Sequence, residues 1–206
     1  MQYQEVAGGI CAPKGFAAAG VHCGIRHNHS KLDLALIKAD VRCAGAGCYT
    51  TNKVYGAPIT VDREHLKDGY AQAILVNSGN ANTCAANGVA LAEECCELVG
   101  KELGIDPQDV LPASTGVIGQ PMVIDPFARG IPAAEEAARE WNVVMQLLNE
   151  MAHLLGGQGV TFAEYEDLFS LLLRSSDLGH IPQTLDAVVL ASAGKMRLDA
   201  PDYVFV

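Results

Sequence analysis

Apolar and polar positions change their period along the chain. Six short apolar runs, rich in small and β-branched residues and bounded by glycine or polar residues, predict strands. They fall at residues 20–25, 32–38, 46–50, 57–61, 71–76 and 110–113. Gly88–Leu103 predicts a helix instead, because Val89, Ala92, Cys96, Val99 and Leu103 recur at steps of three and four and Gly104 supplies a stop. Asp125-Pro126 forms a plausible cap and first turn for a second helix through Ala138. Residues 141–155 predict a third, closed by Gly156-Gly157. Thr161, with Glu164 three positions on, opens a fourth through a capping box. Residues 186–191 and 203–206 read as buried strands, and the run ending at Val206 has no polar tail, which suggests truncation.

The chain changes character near residue 139. All seven cysteines lie between Cys11 and Cys96. Sixteen of the 21 glycines precede Arg139, whereas the leucines become denser after it. The expected organisation is an α/β portion over residues 1–138, followed by a small helical segment over residues 139–206 with one or two short strands.

Composition narrows the function classes. Of 206 residues, 50% are hydrophobic and 18% charged, which excludes disorder for most of the chain. A net charge of −10 without a long basic run argues against direct nucleic-acid binding. The first residues lack a signal peptide's basic and apolar regions, and no apolar run approaches a membrane span. The odd set of cysteines, without paired CxxC motifs, suggests reduced thiols and a soluble, cytoplasmic protein.

Several local patterns have ordinary structural explanations. His27-Asn28-His29, with His22 and Cys23 nearby, offers metal-ligand types, but a loop with solvated histidines is the preferred reading, and no metal site is assigned. Gly45-Ala46-Gly47 lacks the remainder of a dinucleotide fingerprint. Cys95-Cys96 reads as core and flank of a helix.

Two turns are harder to explain by folding alone. Val76-Asn77-Ser78-Gly79-Asn80-Ala81-Asn82 follows a strand and concentrates amide donors in a confined space, although an Asx-rich connection has the same composition. Ala113-Ser114-Thr115-Gly116-Val117-Ile118-Gly119 also ends a strand. Gly116 frees the backbone to present N–H groups and Thr115 adds a hydroxyl, a pair able to hold a developing oxyanion in acyl transfer.

These two turns belong to a wider resemblance. Together with Ala12-Pro13-Lys14-Gly15-Phe16, Ala19-Gly20-Val21, Asp33-Leu34-Ala35-Leu36-Ile37 and Thr50-Thr51-Asn52-Lys53-Val54, they resemble the bifunctional ornithine acetyltransferase / glutamate N-acetyltransferase family of arginine biosynthesis. The similarity runs from about residue 6 to residue 138. It implies the N-terminal portion of that family's α/β fold, with mixed sheets and packed helices, in a self-cleaving precursor. It also implies transfer of acetyl from N-acetylornithine to glutamate through an acyl-enzyme, with acetyl-CoA as a further donor in some members and no resident cofactor. Thr115 and Gly116 match the family's oxyanion-hole pair.

The departure from the family concerns the nucleophile. In the family, a threonine in a Lys-x-Ala-x-Met-Thr-Thr-Asp-like block is freed by backbone cleavage and attacks the acetyl donor, its own amine serving as base. No such block occurs here. After Thr115 the only threonines are Thr161 and Thr184, without those flanks. Catalysis by this polypeptide is therefore not expected, and an apolar face normally covered by the rest of the fold predicts aggregation or a homo-oligomer. Residues 141–157 and 177–206 resemble an internal segment of the B subunit of the bacterial two-subunit helicase–exonuclease. That resemblance brings no nuclease carboxylates, cluster cysteines or phosphate loop. It suggests a chimeric reading frame or, alternatively, a non-catalytic interaction module.

Overall fold

The computed structural model describes residues 8–157 and 159–176. Four strands, β1 (Phe16–Val21), β2 (Leu34–Ala44), β3 (Tyr70–Asn80) and β4 (Val110–Val117), form one mixed sheet in the order β1-β2-β3-β4. The first two pairings are antiparallel. β3 and β4 run parallel, joined by a crossover through α2 (Gly88–Leu103). α1 (Ala57–His65) precedes β3, and α3 (Asp125–Leu155) and α4 (Phe162–Ser175) follow β4. The α/β expectation thus holds for the described residues.

The core is built by alternation in the sheet and by helical spacing in α1 to α3. Leu34 and Leu36 of β2, Ala73 and Leu75 of β3 and Val110 of β4 turn toward the helices. There they meet Val61, the α2 residues Leu91, Ala92, Cys95, Cys96 and Val99, and the α3 residues Phe127, Ile131 and Ala134. Both adjacent cysteines of α2 are buried. Desolvation pushes the Cys95 thiol up to about 12 and raises that of Cys96 as well, so they behave as core atoms rather than redox groups. Val89, assigned to the same face by its spacing, is exposed at the start of the helix, whereas Leu91, on the opposite flank of the buried face, is buried.

Two predicted strands are absent. Residues 57–61 open α1: Pro58 occupies the first turn, where its missing N–H costs nothing, and Pro58, Val61 and His65 form the buried face. The run was too short to separate a buried helical turn from a strand. Residues 46–50 form an irregular segment, in which Tyr49 lies against the Arg63 guanidinium, 5.2 Å from its ring centre. The other four strands predicted before residue 139 exist with shifted ends. The first begins at Phe16 and stops at Val21, because the next residues turn to place backbone N–H groups on Asp33.

The two helices expected on either side of residue 139 are one 31-residue helix, α3, and the compositional boundary falls inside it. Pro132 sits on its solvent face, and Ala138 is buried. α4 starts as expected: Thr161 Oγ1 accepts from the Glu164 N–H (3.3 Å), and Glu164 Oε2 accepts from the Thr161 N–H (2.8 Å). The strands expected at 186–191 and 203–206 lie outside the described residues. No helix among those described is long and apolar enough to cross a membrane.

Candidate active site

The parallel pairing brings the two unusual turns together. Asn77 is opposite Ser114, Ser78 opposite Thr115, Gly79 opposite Gly116 and Asn80 opposite Val117. Both segments lie at the C-terminal ends of their strands, where strand ends of α/β sheets commonly form ligand sites. Sequence distance concealed this contact, which becomes visible only once β3 and β4 are paired.

The fit between the strands is backbone on backbone. Gly116 has φ +133°, and a Cβ there would stand 2.4 Å from Gly79 C and 2.7 Å from Asn80 N. Gly79 has φ +113°, and its own Cβ would stand 2.9 Å from Arg26 Cγ. Glycine is therefore required on both strands, for conformation and for close approach. Thr115 and Gly116 are exposed, and among the described residues no side-chain hydrogen bond engages the Thr115 hydroxyl.

The asparagines hold the turns rather than facing a ligand. Buried Asn77 accepts from Ser114 Oγ (2.6 Å) and donates through Nδ2 to Asn80 O (2.9 Å), tying β3 to β4. Asn80 Nδ2 donates to the Gln120 and Pro121 carbonyls (3.0 and 3.1 Å), and its Oδ1 accepts from the Asn82 N–H (2.8 Å). Asn82, at φ +46°, donates to Gly88 O at the start of α2. These bonds satisfy polar backbone that the chain reversal would otherwise bury unpaired. The Asx-rich connection and the Thr115-Gly116 turn are thus one unit.

Asp33 and Arg26 belong to the same neighbourhood, and no local sequence pattern marks either as part of a site. Asp33 is buried and accepts from the N–H groups of Cys23 (2.7 Å), Gly24 (3.2 Å) and Arg26 (2.9 Å). Desolvation alone would raise its pKa. The bonds from Arg26 and Cys23, with His22 nearby, outweigh that and hold it below the usual carboxylate value. The loop so gathered carries Arg26, whose Nε donates to Ser78 Oγ (2.8 Å). A guanidinium is thereby fixed beside the residue that pairs with Thr115. Gly24, Ile25, His27, Gly79, Asn80 and Phe127 wall part of an adjoining cavity of about 150 Å³. The Cys23 thiol is pushed up to about 12 by burial and by Asp33, which leaves it protonated at neutral pH.

Comparison with known proteins gives the arrangement its context. The chain is 46% identical over 134 residues to the arginine biosynthesis bifunctional protein ArgJ of Symbiobacterium thermophilum, covering 64% of this chain and 33% of that protein. It is 45% identical over 132 residues to ArgJ 1 of Nostoc sp., covering 63% and 32%. The chain thus spans about a third of the length of these relatives. Among solved structures, it resembles the Bacillus halodurans arginine biosynthesis bifunctional protein argJ (TM-score 0.55, 35% identity, 63% of this chain and 70% of that one). It also resembles the Mycobacterium tuberculosis ornithine acetyltransferase complexed with ornithine (TM-score 0.56, 33% identity, 60% and 67%). A sequence model of the ArgJ family matches residues 17–153, past the compositional boundary and across all four strands and the first three helices, and the chain belongs to the ArgJ family.

Proposed function

We propose that this chain is the oxyanion-stabilising portion of an acetyltransferase of arginine biosynthesis, acting between N-acetylornithine, or acetyl-CoA, and glutamate. The Thr115 hydroxyl and the Gly116 backbone N–H are the donors, and the charge they meet is the oxygen of the tetrahedral intermediate formed when the acetyl carbonyl is attacked. The observation that carries this reading is the in-register pairing of Ser78-Gly79 with Thr115-Gly116, where side-chain-free backbones pack in contact and leave an exposed donor turn. Arg26 adds a fixed positive charge on the same side. The identity of about 45% to the bifunctional relatives across this segment supports the same assignment.

The attacking group is not supplied by this polypeptide. Without the threonine block, the chain holds positioning and electrostatic parts of a site but no nucleophile, so turnover by it alone is not expected. Replacing the corresponding segment of the Symbiobacterium relative by residues 17–138 tests the assignment. The hybrid is expected to transfer acetyl from N-acetylornithine to glutamate, with Thr115→Ala lowering kcat by about 10²–10³. A hybrid equally active with alanine there would remove Thr115 from the mechanism.

A second reading is that the segment 139–206, of which residues 139–153 fall within the ArgJ family match, acts as a docking segment related to the helicase–exonuclease subunit. It is favoured by the exposed apolar residues Phe162, Leu168 and Leu171 on α4. Retention of the full chain by the purified partner subunit of that enzyme, lost in Phe162→Asp, is the expected result; no retention removes the reading.

A further inference from the structure

At the end of β1, two imidazoles face each other over an open recess. His22 Nε2 and His29 Nδ1 are 2.9 Å apart, with ring centres separated by 4.9 Å and planes at 76°. The other nitrogen of His22, Nδ1, stands 3.0 Å from Asp33 Oδ2 and 3.1 Å from Lys31 O. Both of those are acceptors, so Nδ1 carries the proton, and in the neutral ring the lone pair is on Nε2, directed at His29. A carboxylate and a carbonyl on the outer nitrogen form the support that metal-binding histidines ordinarily have, fixing tautomer and ring orientation. Asp33 is itself held by three backbone N–H groups, so the support is rigid.

We propose that His22 and His29 form a divalent transition-metal site, with His22 Nε2 and His29 Nδ1 as ligands and solvent completing the shell. Metal–imidazole bonds are about 2.05 Å, so nitrogens 2.9 Å apart subtend about 90° at the metal. That bite suits adjacent corners of a square-planar or octahedral ion such as Ni²⁺ or Cu²⁺ better than a tetrahedral Zn²⁺ shell. On binding, His29 shifts its Nδ1 proton to Nε2, and both rings turn so that their lone pairs meet at the metal, which lies to one side of the N···N line. Room exists, because the recess of about 460 Å³ is lined by His22, Cys23, His29, Gly130 and Ala133. Arg129 also lines it, and the buried Asp33 carboxylate offsets that positive charge. The two ligands lie on either side of Arg26, so the metal closes a ring in the loop that walls the Gly79 cavity.

Equilibrium dialysis of the untagged full chain against Ni²⁺, with thiols kept reduced, tests the site. The expected result is one Ni²⁺ per chain, with affinity reduced at least tenfold in His22→Gln and in His29→Gln and changed less than twofold in His27→Gln. His29 is exposed, so His29→Gln is expected to keep the wild-type far-UV circular dichroism and thermal midpoint; this variant decides the matter even if His22→Gln disturbs Asp33. No bound Ni²⁺ in the wild type, or unchanged affinity in His29→Gln, overturns the proposal.

Discussion

Gly116→Ala tests whether β3 and β4 meet as described. The new methyl carbon would stand 2.4 Å from Gly79 C and 2.6 Å from Gly79 O, backbone atoms that cannot rotate away. It would also be carried on a residue with φ +133°, where L side chains are rarely tolerated. Backbone strain of this kind costs about 1–3 kcal/mol, and forced displacement of packed neighbours about the same. Together they predict a loss of about 2–6 kcal/mol, a large part of the 5–15 kcal/mol that stabilises a typical domain. Gly119→Ala is the control: φ is +73°, but a Cβ there meets nothing within 4 Å. It carries the conformational term without the collision, for about 1 kcal/mol. Urea denaturation of both variants should separate them by at least about 1 kcal/mol, and thermal midpoints by several degrees. Equal losses in the two would mean that the strands are not in contact at Gly79 and Gly116, and the site geometry would have to be abandoned.

Other consequences can be checked on the same protein. Burial pushes Asp62 up to about 6, with His65 opposing the shift. Its folded pKa thus exceeds its unfolded value, so the native state gains from the proton at low pH and loses that gain as pH rises from about 4 to 6. Asp62→Asn is expected to stabilise the chain by on the order of 1–2 kcal/mol above pH 7 and by nothing at pH 4, read by denaturation at both pH values. Asp33 behaves oppositely: its folded pKa is depressed, so its contribution is present above about pH 4 and lost as pH falls through the folded value. Asp33→Ala, which strands three N–H donors, should cost about 3 kcal/mol at pH 7 and markedly less near pH 2. The exposed apolar residues Val117, Ile118 and Val123 near the donor turn predict self-association; a monodisperse monomer by light scattering would contradict that.

What the sequence revealed followed the range of the forces involved. α2 and α4 were legible because stop and cap signals act within four residues, as the Thr161–Glu164 capping box shows. α1 is not legible in its five-residue apolar run, which carries too few periods to distinguish a helical turn from a strand; Pro58 in the first turn is the signal for the helix. The single helix across residue 139 was divided because a change of composition does not require a change of backbone, and Pro132 on a solvent face does not break α3. Thr115 and Gly116 drew attention through residue type alone. Their pairing with Ser78 and Gly79 depends on parallel register across some 37 residues, which no local pattern encodes. Arg26 and Asp33 were missed for a related reason: an exposed-looking loop gains its role only when a buried carboxylate gathers its N–H groups.

The most direct test of the account is the intact mass of the purified chain before and after incubation with N-acetylornithine. If the chain holds the proposed oxyanion donors without a nucleophile, it should give one unchanged mass, with neither self-cleavage nor an acetyl adduct. Two fragments, or one chain heavier by an acetyl group, would show that a nucleophile exists within these 206 residues and would contradict the account.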